Sequence, residues 1–516
     1  VTPVADDSGA PLDLRLVPAA LTCWAVTAAG IRWHWVGSVV AATAAVAAVA
    51  AVGHLARRCR DDDRPRLGAI VSAVAVVGAA FTIAVGLRVE ALHDHPITGR
   101  YGSVAAVVVM PSESPRPAGG SRAMFRATLR SVDGDESTGR VTVFGSADRF
   151  AGVAAGRPVG IRARIGRPGR HDLSVAVLSA SGAPTWGEAA PVHRAAQRVR
   201  TGFIAAARDA LPPDQAVMLP ALVLGDTSAL PAPARAEFRR SGLTHLTAVS
   251  GANVTIVCGA VLLTAGLVGP RLATLLAAVA LLAFVIVVEP SASVLRAAVM
   301  GAVTLLAMVT HRRRQALPAL STAVLVLLLA APELAVDVGF ALSVAATAAL
   351  VVIAPVWSRR LVDRGWPKPL SDALAVAAAA QLVTAPLVAG ISGTVSLVAV
   401  LANLAVAPVI PPITVAGTAA AALQPLWPAG AELLIRFTGP ELWWLSRVAH
   451  WTASVPGAAL AVPGGPAGVA VVAVFGAVAV LSRRRPRLRW VTVAALVTVL
   501  AWTVSGPSVG HDTIMG

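Results

Sequence analysis

The sequence predicts a mainly α-helical, polytopic membrane protein with one small all-β domain near its N-terminus, and three observations carry that prediction. Of the 516 residues 56% are hydrophobic and 14% charged, with a mean hydropathy of +0.72, whereas soluble globular chains carry about a quarter charged residues. Windows at 36–53, 67–86, 272–288 and from 469 onward approach the roughly 20 apolar residues that a spanning helix needs. They do not alternate, which excludes barrel strands as the spanning element. Between about 88 and 185, by contrast, Pro, Gly and charge are spread among short alternating runs.

Taken in order, 16–30 and 36–53 form a hairpin of spans joined by Ile31, Arg32, Trp33, His34 and Trp35, tryptophan being at home at the headgroup level. Arg57, Arg58, Arg60, Arg64 and Arg66 place the next loop in the cytoplasm, because the aspartates at 61–63 count little in the positive-inside bias. The third span then ends outside, which makes 88–185 extracytoplasmic. Alternating runs at 101–110, 124–132, 140–144, 159–165 and 173–178, with Gly-rich turns, predict a small barrel or sandwich, an OB-like fold among them. Arg122, Arg126, Arg130, Arg140, Arg162 and Arg164 supply charge and Tyr101, Phe125, Phe144 and Phe150 supply rings. Those are the ingredients of a single-strand binding surface, although the rings suit a barrel core equally well.

Residues 186–212, with Arg194, Arg198 and Arg208 among apolar positions, read as an amphipathic helix lying in the membrane interface. The apolar run 216–224 is too short to span and ends in Gly225, Asp226, Thr227 and Ser228, which predicts a broken or re-entrant segment. Spans then follow closely from 243 to 355; 372–411 gives two more, 413–426 a short one, 430–455 a Trp-rich amphipathic piece, and two last spans flank the arginines at 483–489. With the arginines at 312–314, 359–364 and 483–489 taken as cytoplasmic, the charge bias predicts about 11–13 crossings, the N-terminus inside and the C-terminus outside. The domain plan is N-terminal helices over 1–87, the β domain over 88–185, the amphipathic helix over 186–212, a helical core over 213–428 and C-terminal helices over 429–516.

The functional centre is placed at 239–254, RRSGLTHLTAVSGANV, where His245, Ser250, Gly251 and Asn253 interrupt an apolar run. Intramembrane polar groups face a bundle interior or a watery cavity, and on a helix Asn253, eight residues after His245, shares its face. A packing notch between helices explains the same residues. The net charge of +16, with every basic residue but one an arginine, favours anionic partners, membrane lipid first. Cys23, Cys59 and Cys258 show neither metal spacing nor a disulfide framework. His93, Asp94 and His95, and His511 with Asp512, offer too few ligands for a metal. No nucleotide loop is present, so no cofactor, no enzymatic activity and no intrinsic nuclease activity are expected.

GDTSALPAPARAEFRRSGLTHLTAVSGANV at 225–254, PSASVLRAAVMG at 290–301, PELAVDVGFALSVAA at 332–346, QLVTAPL at 381–387 and ANLAVAPVIPP at 402–412 resemble, in order and spacing, the signature of the ComEC competence family. Its members are inner-membrane channels for single-stranded DNA in transformation. The resemblance covers about 200–425 and implies that Asp226, His245, Ser250, Arg296, Asp337, Gly339, Phe340, Gln381 and Asn403 belong to the channel core. It also implies a DNA-receptor protein outside and a cytosolic helicase-type motor as partners, and an OB-like outer domain whose Arg122, Arg126, Arg130, Arg162 and Arg164 would meet DNA. The same residues have plainer readings: Asp226 as a helix cap, Arg296 as the counter-ion of Asp337, Gln381 and Asn403 as interhelical glue. Many members carry His where this chain has Asn253, and many continue into a metallo-β-lactamase-like domain that is not expected in this chain. A small-solute or envelope-lipid transporter and a non-transporting scaffold are the alternatives to a DNA channel.

Overall fold

The computed structural model describes residues 13–59, 64–169, 172–267, 269–288, 292–309 and 315–482. The arginine loops at 60–63, 310–314 and 483–489, the last span and His511 lie outside the described residues. The N-terminal helix α1 (Val17–Cys59) is not one rod: Trp33 and His34 leave helical geometry, His34 at φ +56°. Ser38 Oγ donates to Val26 O at 3.2 Å, a contact over twelve residues that a helix rising 1.5 Å per residue cannot make. The chain therefore folds back inside the 31–35 segment, and a Cβ at Gly30 would stand 2.2 Å from Ser38 Oγ. Helix α2 (Arg64–His93) packs beside it and leads into the β domain.

That domain comprises β1 (Val104–Pro111), the short β2 (Arg116–Pro117), β3 (Arg122–Val132), β4 (Asp135–Ser146), the single turn α3 (Ala147–Phe150), β5 (Val159–Gly166) and β6 (Ser174–Trp186). Strand β1 pairs with both β3 and β5, β3 with β4, β5 with β6, and β4 runs parallel to β6. The ring is closed, and five strands in this Greek-key order make an OB-like barrel. Alternation along β1, β3 and β5 sends every second side chain inward. Phe125, Leu129, Val143, Ile161 and Leu178 fill the interior, and Phe150 on α3 plugs one end. The plug needs Gly145, where a Cβ would stand 2.2 Å from the Phe150 ring. Between β3 and β4, Asp133 and Gly134 both take positive φ, the two-residue hairpin turn that the strand twist favours.

The rest is helical. Helix α4 (Pro191–Ala210) buries a stripe of Ala196, Arg200, Phe203 and Ala207, one helix face at spacings of three and four. Then come α5 (Pro213–Leu224), α6 (Ala232–Arg240), α7 (Gly251–Ala265), α8 (Pro270–Val288), α9 (Ala292–Val309), α10 (Ala316–Ala330), a 3-10 turn at Pro332–Val336, α11 (Val338–Val352) and α12 (Ala354–Val362). Helix α13 (Lys368–Ser392) leads into strand β7 (Thr394–Ser396), which pairs with β8 (Ala459–Ala461) across α14 (Ala399–Val406), α15 (Ile410–Leu423), α16 (Pro428–Phe437) and α17 (Gly439–Ser454). Helix α18 (Gly465–Ser482) ends the described chain.

Among the described residues five helical stretches are long and apolar enough to cross a membrane, six if α14 and α15, bent by 56°, count as one. The sequence predicts 11–13. Part of the difference lies in α1, whose two folded-back arms count as one stretch, and in the last span, outside the described residues; the rest lies in Pro213–Leu224, Gly251–Ala265, Ser293–Ala307, Ala316–Ala330 and Gly465–Val478, apolar but only 10–17 residues long, short of a hydrocarbon core about 30 Å thick. Residues 372–411 likewise give one span and half of a broken one, because the chain leaves α13 for β7. Hydropathy sees apolar length; it does not see where the helices stop.

Candidate functional site

Several helix ends meet at the centre of the bundle. Helix α5, buried along most of its length, stops at Gly225, whose φ of +74° closes its C-terminus. The chain re-enters through a non-helical stretch before α7, and the break between α14 and α15 faces both. Asn253 ties them: its Nδ2 donates to Leu222 O at 3.0 Å and its Oδ1 accepts from Ser250 Oγ at 3.2 Å. Leu222, Leu246, Asn253, Ile410, Ile413 and Thr414 line a small cavity there. The expected helical face shared by His245 and Asn253 does not exist. His245 sits on a 3-10 turn and α7 begins only at Gly251, after Ser250 in extended geometry. The cause is tertiary: at Gly242, with φ +74°, a Cβ would stand 2.4 Å from Ala399 Cβ, and Ser396 Oγ donates to Arg240 O at 2.7 Å.

Arg296, one turn into α9, is 6% exposed. Its Nε donates to Ser343 Oγ at 2.8 Å, its Nη1 lies 3.3 Å from Met300 Sδ, and Ser343 Oγ donates in turn to Ser293 Oγ at 3.3 Å. A Cβ at Gly251 would stand 2.9 Å from Nη2, so glycine at the start of α7 leaves the guanidinium its place. Among the described residues no carboxylate pairs with it. Burying a cation without a counter-ion is costly, and hydroxyls offset only part of that cost.

Asp337 is not the counter-ion of Arg296. Its Oδ1 accepts from Phe340 N at 2.8 Å, capping α11, and its Oδ2 stands 3.3 Å from Arg126 Nη2 of the barrel. Ser343 lies six residues further along α11, about 9 Å at 1.5 Å per residue. Around Asp337 the barrel and the bundle join. Arg140 pairs with Glu333, Arg88 Nη2 donates to Leu329 O at 3.1 Å, and Trp24 Nε1 donates to Ala335 O at 2.8 Å. Phe340, fully buried, packs its ring 5.2 Å from that of Trp24, and Gly339 precedes it on α11. Burial pushes the Arg140 guanidinium below its ordinary value and Arg126 adds to that, while Asp172, Asp337 and Glu113 act the other way.

The other barrel arginines scatter. Arg122 lies 5.6 Å above the Phe144 ring, and Arg130 is exposed where the β3–β4 register shifts. Arg162 and Arg164 are exposed on β5, which pairs with β1 and β6 rather than with the strands at the joint. Asp226 is not a helix cap; its Oδ1 accepts from Ser228 N at 3.1 Å and Ser228 Oγ at 2.6 Å. Its Oδ2 stands 4.0 Å from the buried Arg200, which also donates to Val287 O at 2.9 Å. Gln381 Nε2 reaches Ser396 O at 3.3 Å, whereas Asn403 Nδ2 bonds Ala399 O of its own helix at 2.8 Å and glues no second helix. His93 Nδ1 meets Val89 O at 2.8 Å; His95 Nδ1 accepts from Ile97 N at 3.2 Å and its Nε2 meets Thr138 O at 3.0 Å. Among the described residues no three His, Cys, Asp or Glu side chains gather as metal ligands.

Ser293, Ser343, Glu333 and Arg200 escape sequence reasoning. Ser293 and Arg296 are three apart on one helix, a spacing that puts them on one face, and Ser343 follows Asp337 within one motif. Only the packing of α9 on α11 joins them.

A family model described as Competence protein matches residues 222–487, just over half of the chain. No curated protein and no solved structure matches it. The matched region runs from the buried end of α5 through the Arg296 pocket and the broken pair to the C-terminal helices. A match of that extent, on a bundle of apolar helices, makes this membrane protein a member of the competence protein family, which points to a role in DNA uptake.

Proposed function

We propose that the chain is an inner-membrane channel that passes single-stranded DNA inward, the barrel receiving the strand outside and the broken helices lining its path. The observation that carries this reading is Arg296, a buried guanidinium in an apolar helix, met by hydroxyls and a thioether and by no described carboxylate. Such a site suits an anion in transit, because the passing phosphate supplies the missing charge and leaves again. Two features support an outside barrel. The arginines at 57–66 surround the start of α2, whose far end leads into the barrel, and those at 312–314 precede α10, which is followed by the turn whose Glu333 meets the barrel. In both cases the basic loop lies at the opposite end of the helix, as the positive-inside bias requires.

On this reading the driving force comes from a cytosolic helicase-type motor, a DNA-receptor protein delivers the strand, and no bond is broken in this chain. A small-solute or envelope-lipid transporter is favoured by one feature, the 56° break between α14 and α15, since transporters bind substrate at interrupted helices. Uptake of labelled DNA in a deletion strain, complemented with the wild-type chain or with Arg296→Leu, separates the two. Loss of uptake restored by wild type alone is expected; uptake that persists in the deletion strain sinks the channel.

A further inference from the structure

Five-stranded Greek-key barrels take oligonucleotides on the face formed by their second and third strands, here β3 and β4, and in this chain that face is turned onto the bundle. Arg126 lies opposite Thr142 and Arg140 opposite Thr128, so the two guanidiniums are diagonal neighbours on adjacent strands. Like charges at that spacing repel, and each is met by an acid: Arg126 by Asp337, Arg140 by Glu333. Their exposure is unequal. The arginine side chains are 39% and 36% exposed, their acids only 19% and 16%, so in each pair the arginine is the more open partner.

Carboxylate and phosphodiester oxygens offer a guanidinium the same bidentate acceptor. We infer that Arg126 and Arg140 form a phosphate-binding site for the backbone of single-stranded DNA, and that Glu333 and Asp337 occupy it as internal competitors until a strand arrives. The inference rests on the channel reading and adds to it the place where the strand first binds and its control. Asp337 cannot follow the arginines away, because its other oxygen caps α11 through Phe340 N. The exchange therefore moves the barrel off the bundle and opens the joint above Arg296. Phe144, under Arg122 on the same outer face, gives a base a ring to stack on beside the phosphate site. That ring favours a nucleic-acid strand over a lipid headgroup as the source of the phosphodiester.

The test is anisotropy of a labelled oligothymidylate with the full chain in nanodiscs, titrated at several salt concentrations. Glu333→Gln with Asp337→Asn should tighten binding severalfold, and the fold should hold because Asn caps helices as well as Asp does. Arg126→Gln with Arg140→Gln should weaken binding and lower the salt slope by about 1.4, roughly 0.7 for each phosphate of a single strand that is no longer neutralised. Binding no tighter in the first variant, or an unchanged slope in the second, overturns the inference. So does binding that tracks the anionic-lipid content of the nanodisc and ignores the oligonucleotide, which would make the site a lipid site. Uptake abolished in the deletion strain with a titration indifferent to all four residues defeats the inference alone; uptake that survives deletion defeats the channel reading, whatever the titration gives.

Discussion

The barrel and the helical bundle satisfy their backbones in opposite ways. In the barrel each of the five ring strands, β1, β3, β4, β5 and β6, has a neighbour on each side, so closure pairs their amides and the side chains are left to fill the core. In the bundle α5 and α6 stop short, and side chains meet the stranded carbonyls: Asn253 takes Leu222 O, Ser396 takes the carbonyl of Arg240. The difference teaches how to sort polar residues inside a membrane protein. Those that complete a neighbouring backbone have a structural reason to be there, and Arg296, for which no backbone partner is found among the described residues, is the residue on which the channel proposal rests.

The largest effect that could break this division belongs to Arg296→Leu. Uptake of labelled DNA should fall to background while membrane abundance, read by quantitative blotting, stays at the wild-type level, since Leu suits a spanning helix better than Arg does. Lost abundance would return Arg296 to the structural class. Next comes the barrel's own plug: Phe150→Ala should destabilise the domain by about 3–5 kcal/mol. Hydrogen exchange in β3 and β4 of the full chain should quicken accordingly, and amides of α7 and α15 should not respond if the regions are energetically separate.

A smaller loss, about 1–3 kcal/mol for a buried carbonyl left unpaired, is expected of Asn253→Ala and should lower the melting temperature of the purified chain. If that variant melts normally and fails only in uptake, Asn253 joins Arg296 on the path. The least effect is expected of Arg162→Gln with Arg164→Gln, because β5 lies away from the joint. The salt slope of oligonucleotide binding should stay as in the wild type, and a fall of about 1.4 would move the binding face to that strand.

The barrel is legible in the sequence because its signal is local. A period of two picks out the strands and their faces without knowledge of anything distant, although the run read at 140–144 misses the first residues of β4, which starts at Asp135 directly after the Asp133-Gly134 turn. The helix breaks are not legible, since Gly242 turns where it does on account of Ala399, more than 150 residues away. For the same reason the 239–254 stretch stands out correctly as polar within an apolar run, while the single helical face that its spacing suggests does not form. Arg296 can be picked from its own segment, as a charge within a span; its partners Ser343 and Ser293 cannot, being ordinary hydroxyls until α9 packs on α11.

The pairing of β7 with β8, three residues on each side, has a mechanical consequence. It fastens the two ends of the stretch from α14 to α17, closing it into a loop of four helices whose buried core is shared with α4, α5 and α6. Flexing within that loop would unpack Ala402, Ala420, Ile435, Leu442, Leu445 and Ala449, all fully buried. The bent pair α14–α15 and the helix α17, with Arg447 over the rings of both Trp443 and Trp451, are thereby geared together: displacement at the bend is transmitted to the tryptophan face, and a load on that face is felt at the bend.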